Sequence, residues 1–365
     1  MATTKVTTDV IDMSGNAGGL TWVKGTTAQQ PSGVIGEIRE DTDTNRTLVY
    51  TDETGTAEWR NLKEAAVVGP NFNVEYLVVA GGAGGSSYGG GGAGGYLTNV
   101  GGTSLPLSPS TAYTLTVGTG GAGSGNVYTG IGAQGLLSSV SGSGITTITS
   151  AGGGYGGNDT GALTGAAADG GSGGGGSDGP TDSSGGSGNI PITTPSQGNN
   201  GGAGMYTSTP SETYQGGGGG GAGSVGSTAT AGVGGNGGTG TENQITGATG
   251  IFYSGGGGGV IFIAGGTQSS GGSGVGGNGG SWNTGTSSIA GNTSGAVNAG
   301  GGGGAGAAGG SGIVILRCTK ATATLGSGIT VNSTAGPGSV NGVLISGTSD
   351  YYYSATLGSG TITFS

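Results

Sequence analysis

Glycine governs what this chain can fold into: 85 of its 101 glycines fall within residues 81–312, in runs such as 216–221 and 300–304. Residues 64–316 contain no lysine, arginine or histidine. A segment of this kind has almost no side-chain chemistry to offer a reaction, and its backbone N–H and C=O groups must carry the structure.

Only 31% of the 365 residues are hydrophobic and 5% aromatic, so a conventional apolar core cannot extend through the whole chain, although the length leaves room for two or three domains. The formal charge is −10, and the eight cations are Lys5, Lys24, Arg39, Arg46, Arg60, Lys63, Arg317 and Lys320. Nucleic acid is excluded as a partner, because a polyphosphate needs clustered Lys or Arg to displace its counterions. Cys318 is the single cysteine and there is no histidine, which rules out an internal disulfide and any zinc site built on Cys and His. No metal or cofactor is expected. The start MATTKVTTDV has no apolar stretch behind a basic one, and apolar runs such as residues 260–264 fall far short of the roughly 20 residues that span a membrane. The expectation is a soluble chain without membrane insertion, made in a cytoplasm and released by lysis or assembly.

Three zones are predicted. Residues 1–70 form a β attachment module containing Trp22, Tyr50 and Trp59, with alternation at Glu37-Ile38-Arg39 and Leu48-Val49-Tyr50. Turn residues Asp43-Thr44-Asn45 and Glu53-Thr54-Gly55 separate the runs, giving an antiparallel meander closed by Trp59 and Leu62. Residues 71–318 form the glycine-rich domain, bracketed by the β-rich runs FNVEYLVVAGG and SGIVILRC, which are expected to pair. Further strands are expected at residues 112–117, 145–150 and 260–264. Residues 319–365 return to ordinary composition and are expected to form a small β module, with near-duplicate segments TLGSGITV and TLGSGTITF.

Glycine tracts are ordinarily flexible linkers, but linkers seldom recur many times between apolar β-type runs. The alternative is a bundle of polyglycine-II helices of the polyproline-II type, with about 3.1 Å rise and three residues per turn, so that a six-residue tract spans roughly 19 Å. Their backbone polar groups point outward, and when buried only other backbones can satisfy them. Ordering costs roughly 0.5–1 kcal/mol per glycine relative to alanine, so a dense hydrogen-bond lattice is expected as compensation. Collagen is excluded, because glycine does not recur strictly every third residue and only nine prolines occur. The predicted fold class is all-β with a polyglycine-II bundle and little or no α-helix.

The segment KGTTAQQPSG followed by GEIREDTDTNRTLVYTDETGTAEWRNL, residues 24–62, resembles the N-terminal β-modules of phage tail fibres and neck appendages, especially those of marine cyanophages. Residues 72–318, with EYLVVAGG at one end and GSGIVILR at the other, are similar to the glycine-rich domain of phage fibre and adhesin proteins. That resemblance implies a polyglycine-II sandwich whose distal loops touch a bacterial surface receptor. The chain departs from the pattern in the Thr/Ser/Pro-rich insert, residues 159–215, and in the residues after the usual terminal strand.

Chemical motifs are weak beside this. Gly272, Gly274 and Gly277 satisfy G-x-G-x-x-G without βαβ context. Gly170, Ser172 and Gly174 match a nucleophile elbow, but with no histidine a Ser-His triad cannot form. Residues 173–178 open a calcium β-roll repeat that Pro180 interrupts and nothing continues. Asp159, Asp169, Asp178, Asp182 and Glu212 offer carboxylates for glycoside cleavage, although acids in an exposed polar insert more often solubilise.

Aromatics beside Gly, Ser and Thr resemble evolved binding loops, which makes Tyr206, Tyr214, Tyr253 and Trp282 candidate receptor-binding residues, with capping of the bundle ends as the structural alternative. Tyr351, Tyr352 and Tyr353 are a second candidate patch. The expected function is a non-enzymatic virion structural protein, a tail-fibre or appendage component, working as a homotrimer with other tail or neck proteins and a host-surface receptor, either a glycan or an outer-membrane protein. The alternatives are a tail-associated polysaccharide depolymerase and an extracellular glycine-rich matrix or ice-binding protein.

Overall fold

The computed structural model describes residues 23–29, 37–44, 46–51, 57–61, 71–125, 130–159, 164–178, 184–207, 213–262, 267–283 and 288–365. The chain divides into two compact units, Met1–Val68 and Gly69–Ser365. The described residues hold strands and two short 3-10 turns but no α-helix, in keeping with the all-β expectation.

In the first unit β1 (Val23–Gly25), β2 (Ile38–Asp41), β3 (Arg46–Thr51) and β4 (Glu58–Asn61) form one sheet in that order. β2, β3 and β4 make the antiparallel meander, and β1 adds in parallel, with Val23 opposite Arg39. The turn after β2 is set by Asp41, whose Oδ1 accepts the N–H groups of Asp43 and Thr44 at 3.0 and 3.1 Å. Arg39 is buried, donates to the carbonyls of Gln29 and Thr26, and lies 5.7 Å from the Trp59 ring centroid. Tyr50 and Trp59 are cross-strand partners with rings 5.3 Å apart, edge to face. Trp22, Leu62 and the turn at Glu53-Thr54-Gly55 lie outside the described residues.

The second unit begins with β5 (Phe72–Val79), β6 (Tyr96–Thr98), β7 (Leu105–Leu107), β8 (Ala112–Thr116), β9 (Ser138–Gly142) and β10 (Ile148–Ser150). Four hairpins follow among the glycine tracts: β11–β12 (Asn158–Asp159, Thr164–Gly165), β13–β14 (Met205–Thr207, Thr213–Gln215), β15–β16 (Thr241–Glu242, Phe252–Tyr253) and β17–β18 (Ser281–Asn283, Ser288–Ala290). β19 (Ile313–Cys318), β20 (Thr322–Leu325), β21 (Ile329–Val331), β22 (Thr334–Ala335), β23 (Gly338–Asn341), β24 (Val343–Leu344) and β25 (Tyr351–Phe364) complete it.

Thirteen strands join in a nearly closed, barrel-like sheet along the path β10-β9-β8-β25-β19-β5-β6. β5 and β19 pair antiparallel as the bracketing runs lead one to expect, from Ile313 opposite Val79 to Arg317 opposite Glu75. Alternate residues point to opposite faces. Val78, Val314, Leu316 and Tyr353 enter one core with Leu115, Ile362 and Phe364, while Leu77, Val79, Ile313 and Ile315 enter another with Ile245, Tyr253 and Ala299. Residues 319–365 form no separate sheet: the near-duplicate segments pair with one another, Leu325 opposite Ile362 and Thr330 opposite Leu357, inside the sheet that holds β5 and β19. The physical reason is that Val314 and Leu316 face an apolar surface that these strands cover.

The glycine tracts carry a regular hydrogen-bond pattern. In residues 216–221 the N–H groups of Gly216 and Gly219 donate to Val260 and Gly257, those of Gly217 and Gly220 to Gly176 and Gly173, and those of Gly218 and Gly221 to Ser227 and Ser224. The carbonyls accept with the same spacing, Gly216 and Gly219 from Gly235 and Gly238, Gly217 and Gly220 from Gly90 and Ala93, Gly218 and Gly221 from Gly202 and Asn199. Every third residue therefore meets the same neighbour, and six segments surround the tract at N···O distances of 2.8–3.2 Å.

Candidate functional site

A glycine run displays no side chains of its own, and the hairpins at the ends of the runs gather several. At one end the short β13–β14 and β17–β18 hairpins are joined through Ile261, which bridges to Gln215 antiparallel and to Ser281 in parallel. Tyr206 lies opposite Tyr214 in the first hairpin, and Trp282 opposite Ile289 in the second. One position on from Ile261, Phe262 falls between Tyr214 and Trp282. Four aromatics thus occupy one cross-strand row.

The rings touch in sequence. Tyr206 and Tyr214 have centroids 5.3 Å apart, Tyr214 meets Phe262 edge-on at 5.4 Å, and Phe262 stacks on Trp282 at 4.9 Å with 11° between planes. Tyr88 stacks on Phe262 at 6.3 Å. Tyr214, Phe262 and Trp282 pack against a buried floor of Tyr88, Val260, Ile289 and Ala305, so these three cap the bundle. Tyr206 is half-buried and stands at the outer end of the row, beyond that floor.

Three of the four first-choice residues are thereby brought together, and the fourth is not. Tyr253 belongs to the apolar cluster on the face of the barrel-like sheet, is 5% exposed, and has its phenol pushed up to about 12 by burial, with Tyr96 and Tyr352 acting in the same direction. In the second patch Tyr353 is wholly buried and donates from its hydroxyl to the Lys320 carbonyl at 2.8 Å, so it presents no ring to a partner. Tyr351 and Tyr352 are half-buried against opposite faces of the sheet. Residue-by-residue reading missed Phe262, which lies in an apolar run and reads there as core. The signal was its spacing: an aromatic in a run able to pair between the hairpins of Tyr214 and Trp282.

Of the candidate carboxylates, Asp169 and Asp178 are the two with described side chains, and they stand in unlike surroundings. Asp169 is exposed and Asp178 is 1% exposed, contrary to the expectation of an exposed acidic insert, because Asp178 sits where a tract ends inside the bundle. The chain bends at residues 170–172, where the Gly174 N–H donates to the Ala168 carbonyl, and then runs on to Asp178, so that one carboxylate faces solvent and the other does not. Asp182, Glu212 and the side chain of Asp159 lie outside the described residues. Among the described residues no group of three or more His, Cys, Asp or Glu is placed to hold a metal ion.

A family model described as a glycine-rich domain matches residues 62–319. Neither a curated protein nor a solved structure matches the chain.

Proposed function

This chain belongs to the glycine-rich domain family, and we propose that it is a virion structural protein, a tail-fibre or appendage component that displays the aromatic row of Tyr206, Tyr214, Phe262 and Trp282 for host-surface recognition. The observation that carries the reading is the row itself: four aromatics gathered from three separate segments at one end of a scaffold otherwise made of backbone. Rigid rings supply contact area at little entropic cost, and glycine and serine supply none. The three-residue repeat of hydrogen bonds supports a polyglycine-II bundle as that scaffold. Attachment to other tail or neck proteins falls to the N-terminal unit, as a trimer, since some 70 residues bury little core alone.

Immunogold electron microscopy of purified particles tests the placement, and gold on a tail or appendage is the expected result. Absence of the chain from particles would overturn the reading. Within particles, Tyr206→Ala is expected to lower adsorption with normal incorporation, because Tyr206 lies outside the packed floor. A true hot spot costs on the order of 2 kcal/mol, or about thirtyfold in binding. Unchanged adsorption for both Tyr206→Ala and the milder Trp282→Phe would leave the row as a cap only.

A further inference from the structure

A cavity of about 320 Å3 opens where β6 and the residues after it meet the β15–β16 hairpin, lined by Tyr96, Thr98, Val100, Glu242, Asn243 and Gln244. Its size lies at the small end of the roughly 300–1,000 Å3 typical of ligand sites, which suits a compact guest. Asn243 organises it. This residue is 5% exposed, its Nδ2 donates to the Tyr96 Oη at 2.7 Å and to the Thr98 Oγ1 at 3.2 Å, and its Oδ1 accepts the Ile245 N–H at 2.9 Å. The Tyr96 hydroxyl reaches the Glu242 carbonyl only at 3.5 Å, too long for a strong bond, so its proton is available to a guest. The Glu242 Oε1 accepts the Gly250 N–H at 2.7 Å, which fixes the carboxylate and leaves its other oxygen without a hydrogen-bond partner among the described residues. The exposed Gln244 side-chain amide makes no hydrogen bond among them either. Phe252 stands opposite Glu242 in the hairpin and is 37% exposed, so its ring shares the carboxylate's face at the rim, whereas Tyr253 points the other way into the apolar core.

We propose that this cavity binds a neutral sugar unit of a glycan. A pyranose carries hydroxyls that each donate and accept, together with an apolar face of C–H groups. The cavity answers both: the Tyr96 hydroxyl and the Gln244 amide nitrogen donate, the Glu242 carboxylate and the Gln244 amide oxygen accept, and the Phe252 ring offers a surface for the C–H face. Charge and polarity select the occupant. An anionic sugar such as a uronic acid would meet Glu242 with no cation in the lining to compensate, and an organic cation would leave the Tyr96 hydroxyl and the Gln244 amide unanswered. The site shares no residue with the aromatic row.

The test uses the full chain and the methyl glycosides of glucose, galactose and mannose, read by saturation-transfer NMR and calorimetric titration, with methyl glucuronide and tetramethylammonium as controls. At least one neutral glycoside is expected to bind with a dissociation constant on the order of 1 mM, and methyl glucuronide at least about tenfold more weakly. Gln244→Ala and Phe252→Ala, both at exposed positions, are each expected to weaken that glycoside about threefold to tenfold, with thermal melting confirming that the variants fold. Absence of binding by all three neutral glycosides at about 10 mM would overturn the proposal, as would equal binding of the glucuronide. Displacement of the glycoside by tetramethylammonium at equal concentration would reassign the cavity to organic cations and overturn the sugar assignment. Unchanged binding in both cavity variants would overturn it too, and loss in Tyr206→Ala instead would place the sugar on the aromatic row. No particle enters the test, so its failure is distinguishable from a failure of the virion reading.

Discussion

At Gly302 there is no room for a methyl group: a Cβ built there would overlap the carbonyl of Gly91 and come within 2.9 Å of the Gly257 nitrogen. Both obstacles are backbone held by other tracts, so neither can rotate away. Gly302→Val is accordingly expected to destabilise the chain by about 1–3 kcal/mol or more, measured as a drop in thermal midpoint, and an unchanged midpoint would refute close packing of the tracts. Alkaline pH probes the apolar cores in the same way. Burial, aided by nearby Asp350, pushes the Cys318 thiol up to about 11, and burial first, then neighbouring Tyr96 and Tyr352, pushes the Tyr253 phenol up to about 12. Tyr353 moves in the same direction, chiefly by burial. Folded values above the unfolded ones mean that this stability is complete below pH 9.0 for the thiol and 10.0 for the phenols, and is lost as pH rises through the folded values. Urea midpoints are expected to fall between about pH 9 and 12, with onset delayed in Cys318→Ala; constant midpoints across that range would contradict the burial. Residue identity did not reveal which tyrosines are exposed. Tyr206 and Tyr353 are chemically alike, and only strand register separates the one at the end of an aromatic row from the one in a core.

Among the elements, the strands that bracket the tracts were legible because β-branched residues cluster in them and end in glycine. The run at residues 260–264 was legible as β-type, yet among the described residues the structure uses it for two isolated bridges, both at Ile261, with 263–264 outside the described residues. Which tract lies beside which was not legible. Glycine carries no side chain to mark a face, so neighbours are set by tract lengths and by the hairpins between them rather than by any local pattern. Order in the tracts has a direct readout. All twelve backbone groups of residues 216–221 are paired, so their amides are expected to exchange far more slowly than random coil, together with those of Gly302 and Gly303, which donate to Gly255 and Ala83. Random-coil exchange in both tracts would refute the lattice.

Over the whole molecule, the family match ends at residue 319 while the second unit runs on to Ser365. The difference matters because β25 contributes Tyr353, Ala355, Ile362 and Phe364 to the core that Val314, Leu316 and Leu115 enter from β19 and β8. A chain truncated after Cys318 is expected to lose cooperative melting and to aggregate through that uncovered face, and a soluble, cooperatively melting product would refute a shared core. The repeat of the same neighbour at every third residue has a further consequence, for how such a molecule can change length. Adding one glycine to residues 216–221 would turn everything downstream by about 120° and hand each donor to the wrong acceptor, whereas adding three would extend the tract by one turn, about 9 Å, and restore the original pairing beyond it. The single insertion is expected to abolish the melting transition and the triple insertion to keep it, so that a lineage of these scaffolds grows and shrinks in steps of three.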